Sequence, residues 1–266
     1  MNDFYVTLPS NSSMRDFPTN TLTNYITRLP KRFDLHGKWY VGLVEMQYPR
    51  SWFNIPESAE RIVTFISNQD NIDHTDSVTA MDEALRYISE NTKNFRIEPG
   101  YYTPSLLKDA LNDNFYKELK TDADIRVKYD NASQLFTIIT KRHSVHLTDY
   151  LSRLMGYEGG DFYLGEGIHP GGYVDMEPIH SLYVYCDLIE PRVVGDVFAP
   201  LLRLVPVSGK HGDTITVRYE NVHYLPLQRK QFSTIEIDIK DHAGKNIPFE
   251  RGTLNVTLHF KRKNQL

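Results

Sequence analysis

The 266-residue sequence contains a single cysteine, Cys186, and only 2 tryptophans. One cysteine cannot form an internal disulfide, which excludes a disulfide-stabilised secreted scaffold and favours a reducing compartment. No apolar run approaches the roughly 20 residues that a membrane-spanning helix needs. The opening residues, MNDFYVTLPSNSS, lack the basic region and apolar run of a signal peptide. We therefore expect a chain that is not secreted by a signal peptide and has no membrane partner.

An excess of positive charge is also absent. The net charge is −4 and the isoelectric point is near 6.2. A protein dedicated to nucleic acid or to an anionic membrane surface needs a basic face, so this balance disfavours both classes. The short basic run Lys261, Arg262 and Lys263 leaves two interpretations open, solvated surface charge or a contact with a polyanion.

Tyrosine and phenylalanine are plentiful, with 17 and 13 residues. Hydrophobic residues make up 40% of the chain and charged residues 24%, which is enough apolar material for a large core. Tyrosine suits half-buried β surfaces and subunit interfaces, because its ring packs while its hydroxyl reaches water or a partner.

Strand patterns occur at both ends of the chain. In TLNVTLHFKR (253–262) and STIEIDIK (233–240), apolar and polar residues alternate, as in strands with one buried face. DFYVTLP (3–9) and TLTNYITRL (21–29) are also typical of strands. KWYVGLVEMQY (38–48) has apolar residues on both faces, which predicts a central strand covered on both sides.

The middle of the chain mixes helices with strands. The sequence predicts a helix over 77–90 that is capped by Ser77 and has a stripe containing Leu85 and Ile88. A second helix is predicted to begin with Thr103 as its N-cap and Pro104 as its first residue.

A third, short helix is predicted over 148–157, with Thr148 as its cap and Gly156 just beyond its end. Residues 124–140 have the pattern of a hairpin. Six of the 15 glycines lie within GGDFYLGEGIHPGG (159–172), and this density predicts a long loop.

These patterns together predict a mainly β fold, a single jelly-roll β-sandwich with an inserted mixed α/β segment. Residues 1–60 and 180–266 are predicted to form the jelly-roll, and residues 61–179 the insertion, which includes the glycine-rich loop. In this arrangement the final strand closes or edges a sheet that the first strand begins, so the two termini are expected to lie near one another.

The sequence offers little sign of catalysis. His143 and His146 are spaced HxxH, but on a strand this spacing directs the two rings to opposite faces, and a metal site needs more converging ligands. Cys186 has the strand parity of Leu182 and Val184, which predicts a buried thiol. No GxSxG motif is present, and Gly165-Glu166-Gly167 lacks the strand and helix of a phosphate loop. We predict no catalytic residue, no metal ligand, no cofactor and no enzyme activity.

One aromatic pair lies outside the strand patterns. Trp52 and Phe53 follow Arg50 in PRSWFNIP, immediately after a predicted strand. They could cap the core, or they could anchor a neighbouring subunit together with Arg50, because aromatic residues and arginine are enriched at interfaces. The sequence leaves both interpretations open.

Longer stretches of the sequence resemble a known family. FYVTLPSNSS, FPTNTLTNYITRLP and KWYVGLVEMQYPRSWFNI are similar to the N-terminal part of the minor capsid (penton) proteins of Polinton/Maverick elements, virus-like DNA transposons related to virophages and adintoviruses. The resemblance continues through GYYTPSLLKDALND, YLSRLMGY, LYVYCDLIEPRVVGDVFAPLLRLVPV and QFSTIEIDIKDHAGKNIPFERGTLNVTLHFKR. It covers most of the chain in order and is weakest over residues 56–93.

This resemblance implies a structural role. Members of the family are expected to be single jelly-rolls that form homopentamers at icosahedral vertices and contact a double jelly-roll major capsid protein. It thus implies a virion protein, made in the host cytoplasm or nucleus. In a virion, the basic tail (Lys261, Arg262, Lys263) could make a weak contact with packaged DNA. A carbohydrate- or receptor-binding jelly-roll, using Tyr163 and Tyr173 of the glycine-rich loop, is the alternative.

Overall fold

A computed structural model describes residues 2–68, 79–121, 124–158, 160 and 162–263. Spatial contacts divide the chain into two compact units. We call Met1–Trp52 with Ile179–Leu266 the sandwich unit, and Phe53–Pro178 the inserted unit. The division predicted from the sequence, with residues 1–60 and 180–266 in the jelly-roll and residues 61–179 in the insertion, stays a prediction.

The elements follow one another along the chain as strands with a few helices. They are β1 (Asp3–Pro9), β2 (Asn24–Asp34), β3 (Trp39–Pro49), β4 (Ile62–Ser67), α1 (Thr79–Asn91), β5 (Thr92–Arg96), α2 (Pro104–Leu119), β6 (Ile125–Asp130), β7 (Leu135–Thr140), β8 (His143–Leu147), α3 (Asp149–Leu154), β9 (Phe162–Leu164), β10 (Gly167–Pro170), β11 (Ser181–Cys186), β12 (Arg192–Val194), β13 (Val197–Ala199), β14 (Leu201–Pro206), β15 (Thr214–Arg218), β16 (Leu225–Pro226), β17 (Gln231–Lys240) and β18 (Asn255–Arg262).

The sandwich unit consists of two antiparallel sheets that enclose one apolar core. The first sheet has the strand order β1-β18-β3-β15, with β16 also paired to β3, and the second has the order β14-β11-β17-β2. Strict alternation explains the core: Ile235, Ile237 and Ile239 of β17 are fully buried, whereas the residues between them are half-buried. The predicted mainly β jelly-roll is confirmed.

The first and last strands pair directly. Asp3 lies opposite Lys261 and Pro9 lies opposite Asn255, so β1 and β18 are in register along the whole length of β1. The predicted proximity of the termini is confirmed. The last strand is interior, between β1 and β3, and it is β1 that edges the sheet.

The strand β3 is central in its sheet, as predicted. Tyr40 and Val44, apolar residues of the second predicted face, are only half-buried, and Met46 does not lie on that face. The pairing of β3 with β18 shifts register where Leu43 faces Leu258 and Glu45 faces Thr257, so that Val44 is an extra residue. Such a bulge moves the following residues to the opposite face. Met46 therefore joins Leu43 in the core, and both are fully or almost fully buried.

An aromatic cluster closes one end of the sandwich. Phe4 of β1 stacks on Phe260 of β18 with ring centroids 4.7 Å apart, and on Phe33 of β2 at 5.0 Å. Phe232 of β17 lies 5.8 Å from Phe260 and 5.6 Å from Phe33. These rings join strands of both sheets, and each pair adds roughly 0.5–1.5 kcal/mol beyond the area that it buries.

The inserted unit has its own core beneath two smaller sheets, of order β5-β4-β8-β9 and β10-β7-β6. The helix α2 packs against β6, and its buried residues Leu107, Leu111 and Phe115 belong to this core. Thr103 caps α2 as predicted, because its hydroxyl accepts a hydrogen bond from the Leu106 amide (3.3 Å), and Pro104 is the first helical residue. The predicted hairpin is β6 and β7.

Three local predictions for the inserted unit need correction. The glycine-rich segment is not one long loop, because β9 pairs with β8 and β10 pairs with β7, each through a few residues between glycines. Thr148 occupies the N-cap position of α3 as predicted, but its side chain makes no capping hydrogen bond, because its hydroxyl donates to the Glu60 carbonyl (3.0 Å). The stripe of α1 is not buried where its side chains are described: Leu85 and Ile88 are exposed. Ser77, the predicted cap, lies outside the described residues.

Candidate assembly surfaces

The residues predicted as an interface lie where β3 ends. The Arg50 backbone amide donates to the Asp213 carbonyl (2.8 Å), and its guanidinium donates to the Gly209 carbonyl. Trp52 is 1% exposed and packs between Tyr48 and Phe249. Both side chains are therefore buried within the sandwich unit, as expected from the core interpretation.

Phe53 differs from its two neighbours. It is half-buried and is the first residue of the inserted unit. An interface formed by Arg50, Trp52 and Phe53 stays a prediction, and the burial of Arg50 and Trp52 leaves them little surface for a partner.

A short hairpin of the sandwich unit exposes apolar side chains. In this hairpin, Arg192–Val194 of β12 pairs with Val197–Ala199 of β13. Gly195, with φ of +62°, takes the first position of the two-residue turn, where a type II′ turn requires a positive φ and favours glycine. The local sequence thus favours a tight, regular two-residue turn.

The side chains of this hairpin, Val193, Val197 and Phe198, are 67%, 55% and 77% exposed. Val193 and Phe198 lie directly opposite one another, so their side chains share one face of the hairpin. Clustered exposed apolar residues are typical of protein–protein contacts. This surface was not predicted from the sequence, although Gly-Asp between two apolar pairs is a recognisable hairpin signal.

A second surface lies where β18 ends. Lys261 pairs with Tyr40 across the sheet, and its ammonium lies 5.6 Å from the centroid of the Tyr224 ring. The three cations of the predicted polyanion contact, Lys261, Arg262 and Lys263, line one groove of about 370 Å³ together with Tyr40 and Tyr224. The structure thus brings the basic run together with two aromatic rings.

Tyr224 is held firmly in this groove. Its hydroxyl lies 2.7 Å from Nδ1 of His259, and burial raises its pKa, with smaller contributions from Tyr5 and Asp3. A close backbone approach explains its position: a Cβ at Gly42 would lie 2.7 Å from the His223 carbonyl oxygen and 2.4 Å from the side chain of Val222. Glycine at residue 42 therefore lets the segment before Tyr224 lie directly on β3.

The alternative surface contains Tyr163 and Tyr173 of the glycine-rich segment. Tyr163 is 74% exposed and stacks on His146 with centroids 4.4 Å apart, and Tyr173 is 80% exposed. The rings have the exposure that a platform for a flat ligand needs.

The two histidines of the HxxH pattern and the single cysteine lie in ordinary strand positions. His143 is buried and His146 half-buried on β8, on opposite faces of the strand as predicted. Cys186 is buried as predicted, and burial raises the pKa of its thiol to about 12. Across the described ranges, no three His, Cys, Asp or Glu side chains converge as metal ligands. Nor does any helix in those ranges combine the length and apolarity needed to cross a bilayer.

Comparison with known proteins identifies the fold. No family model matches the chain, and no curated protein matches its sequence. Among solved structures, the mavirus penton protein is similar over 97% of this chain and 99% of its own, with a TM-score of 0.54 and 12% identity. A chain of the Sputnik virophage aligns over 99% of this chain and 98% of its own, with a TM-score of 0.45 and 10% identity. The chain therefore has the fold of the mavirus penton protein over almost its entire length.

Proposed function

We propose that this chain is a structural capsid protein, the penton that occupies the vertices of a Polinton/Maverick-type virion. The observation that carries the proposal is the structural match to the mavirus penton protein, which spans both units and nearly the full length of each chain. The resemblance of the sequence to that family supports the same function independently of the coordinates.

The proposed function depends on contacts between protein surfaces. Five copies assemble into a ring and contact a double jelly-roll major capsid protein, and no cofactor, membrane or catalytic residue takes part. A contact that pairs two different faces of one subunit closes into a ring when the rotation between subunits is right. A stiff sandwich with a large aromatic core is suited to this, because little conformational entropy is lost when rigid surfaces meet.

The hairpin formed by β12 and β13 is the proposed contact element of the ring. Its exposed Phe198 and Val193 give a compact apolar face on a short rigid turn. Aromatic side chains that enter a partner's pocket commonly dominate the binding energy of an interface. The Phe198 ring is thus the proposed anchor to the neighbouring copy.

Electron microscopy tests the ring proposal. Negatively stained particles of the purified chain, alone and with a co-expressed double jelly-roll major capsid protein, are expected to show rings with five-fold symmetry. Particles that remain single subunits under both conditions would contradict the proposal.

Two matched variants test the hairpin separately from the ring. Phe198→Ser is expected to abolish rings at the concentration where the wild type forms them, because it removes the anchor. Tyr116→Ser changes a residue of α2 that is 56% exposed, and is expected to leave the rings intact. Rings unaffected by Phe198→Ser would exclude the hairpin as the contact while leaving the ring proposal in place.

A carbohydrate- or receptor-binding module is the second candidate, favoured by the exposure of Tyr163 and Tyr173. Aromatic rings bind sugars by stacking on their apolar faces. Glycan binding that is lost in Tyr163→Ala/Tyr173→Ala and retained in Tyr116→Ala would support it. Absence of binding across a broad glycan array would count against it.

A further inference from the structure

Basic residues from distant parts of the sequence meet at one end of the sandwich unit. At this end β2 finishes, β3 starts, β17 starts and β18 finishes. Two backbone hydrogen bonds join the segments, from the Leu35 amide to the Lys230 carbonyl and from the Lys263 amide to the Lys38 carbonyl, each 2.9 Å long. We call this surface the basic end, and it consists of Lys31, Arg32, Lys38, Lys230, Arg262 and Lys263.

The charge of the basic end is not neutralised locally. All six side chains are exposed. Within the described part of the chain, none of them forms an ion pair with a carboxylate. The nearby Asp34 accepts a hydrogen bond from Gln231 (3.0 Å) instead. A chain with a net charge of −4 therefore concentrates cations that have no carboxylate partner on one small surface.

The groove beside the basic end adds aromatic surface to this charge. Tyr40 and Tyr224 line it with Lys261, and Arg262 and Lys263 belong both to the groove and to the basic end. Its volume of about 370 Å³ falls within the range of small-ligand pockets. Proteins that bind single-stranded nucleic acid combine cations along the path of the phosphate backbone with aromatic rings on which the bases stack.

We propose that this end of the sandwich binds single-stranded nucleic acid. The phosphates lie along the exposed cations, and one base enters the groove and stacks on Tyr40 or Tyr224. Stacking requires an unpaired base, so the aromatic lining favours a single strand over a duplex. An anionic lipid surface would use the cations but not the two rings. The inference goes beyond the proposed capsid function and does not depend on it.

Fluorescence anisotropy of a short labelled oligonucleotide of mixed sequence tests the proposal. The full chain is expected to bind the single strand more tightly than the duplex of the same sequence. Lys261→Ala/Lys263→Ala is expected to weaken binding and to reduce the slope of log K against log salt by about 1.4, since each phosphate contact on a single strand contributes about 0.7.

A matched double variant controls for net charge. Lys210 and Lys245 are exposed lysines on loops at the opposite end of the same strands. Lys210→Ala/Lys245→Ala removes the same charge as the test variant and is expected to leave the affinity and the salt slope unchanged. Equal losses in both double variants would overturn the site, because the binding would then follow the charge of the whole protein.

The aromatic part of the site has its own variants. Tyr40→Leu and Tyr224→Leu are each examined, so that one remains informative if the other fails to fold. At least one is expected to weaken single-strand binding about five-fold or more without affecting the duplex, whereas Tyr173→Leu leaves it unchanged. Equal affinity for the duplex with no effect of either change would overturn the single-strand assignment.

Two further measurements distinguish this proposal from binding to a membrane surface and from the proposed capsid function. Tighter binding to phosphatidylserine vesicles than to the oligonucleotide would overturn the nucleic-acid assignment in favour of a membrane surface. Ring formation by Lys261→Ala/Lys263→Ala, examined by electron microscopy, is expected to match the wild type. Failure of the binding assay with rings intact would reject this site alone, and absence of rings in the wild type would reject the capsid function alone.

Discussion

Truncation of Phe260 tests whether the last strand is part of the sandwich core. Phe260 lies in β18, is completely buried, and stacks on Phe4 and Phe232 at 4.7 and 5.8 Å. It thereby joins the C-terminal strand to the first strand of its own sheet and to the opposite sheet. Phe260→Ala removes the ring from all of these contacts and leaves a cavity in the aromatic cluster.

The expected cost is large relative to the stability of a domain. Truncation of a buried phenylalanine to alanine costs about 3–5 kcal/mol, and small domains have a free energy of unfolding of about 5–15 kcal/mol. The two ring contacts contribute about 0.5–1.5 kcal/mol each in addition to the buried area, which favours a loss in the upper part of the range of about 3–5 kcal/mol. Phe260→Ala should therefore remove a substantial share of the free energy of unfolding of the sandwich unit.

Tryptophan fluorescence during denaturant unfolding measures this loss selectively. The chain has 2 tryptophans, Trp39 and Trp52, and both are buried in the sandwich unit. Phe198→Ala makes the same chemical change at a residue that is 77% exposed, and is expected to alter the free energy of unfolding by less than about 0.5 kcal/mol. A loss below about 1 kcal/mol for Phe260→Ala would refute the packing argument.

Four other perturbations test separate parts of the structure. Phe115→Ala, in the core of the inserted unit, should lower the stability measured by far-ultraviolet circular dichroism but leave the tryptophan transition in place; a shared transition would show that the units unfold together. Cys186 should react with a thiol reagent only after unfolding, and rapid native reaction would contradict its burial. Burial raises the pKa of the Cys186 thiol from 9.0 to about 12, so the contribution of the neutral thiol to stability is complete below pH 9 and should be lost as the pH rises toward 12. A free energy of unfolding that does not change with pH between 9 and 12 would contradict this. Gly42→Ala should cost about 1–3 kcal/mol, because the new Cβ meets Val222, and an unchanged free energy of unfolding would show that this segment moves freely.

Alternation in the sequence was sufficient to predict the class of fold. STIEIDIK and TLNVTLHFKR each bury one face, as their period of two requires, and the strands at the two ends of the chain form the two sheets of one sandwich. Local capping chemistry also predicted the start of α2 at Pro104. These features depend on residues close together in the sequence, where propensity and periodicity act directly.

Features that depend on pairing partners could not be predicted in the same way. The bulge at Val44 arises from the register between β3 and β18, which only the assembled sheet fixes. The strand β10 forms because β7 offers it an edge, although its own residues, GIHP, have a weak strand pattern. The burial of Trp52 likewise depends on Phe249, which is remote in sequence.

In the candidate surfaces, too, some features can be predicted from local sequence and others depend on residues that are distant in the sequence. The basic run Lys261, Arg262 and Lys263 is visible in the sequence, but Tyr40 and Tyr224 join it only through the pairing of β3 with β18 and β16. The hairpin containing Phe198 has a local turn signal, and its exposure depends on the absence of any packed element over it within the described chain. Sequence patterns thus indicate single segments of a surface, but they do not show which distant residues lie beside those segments in the fold.

Native mass spectrometry of the purified chain shows whether it forms a pentamer. If the chain is a penton, the spectrum should show a species at five times the chain mass of 30.9 kDa, alone or with the double jelly-roll major capsid protein present. The same species should be lost in Phe198→Ser. A spectrum that contains only the single chain under both conditions, at concentrations well above those used for imaging, would contradict the account.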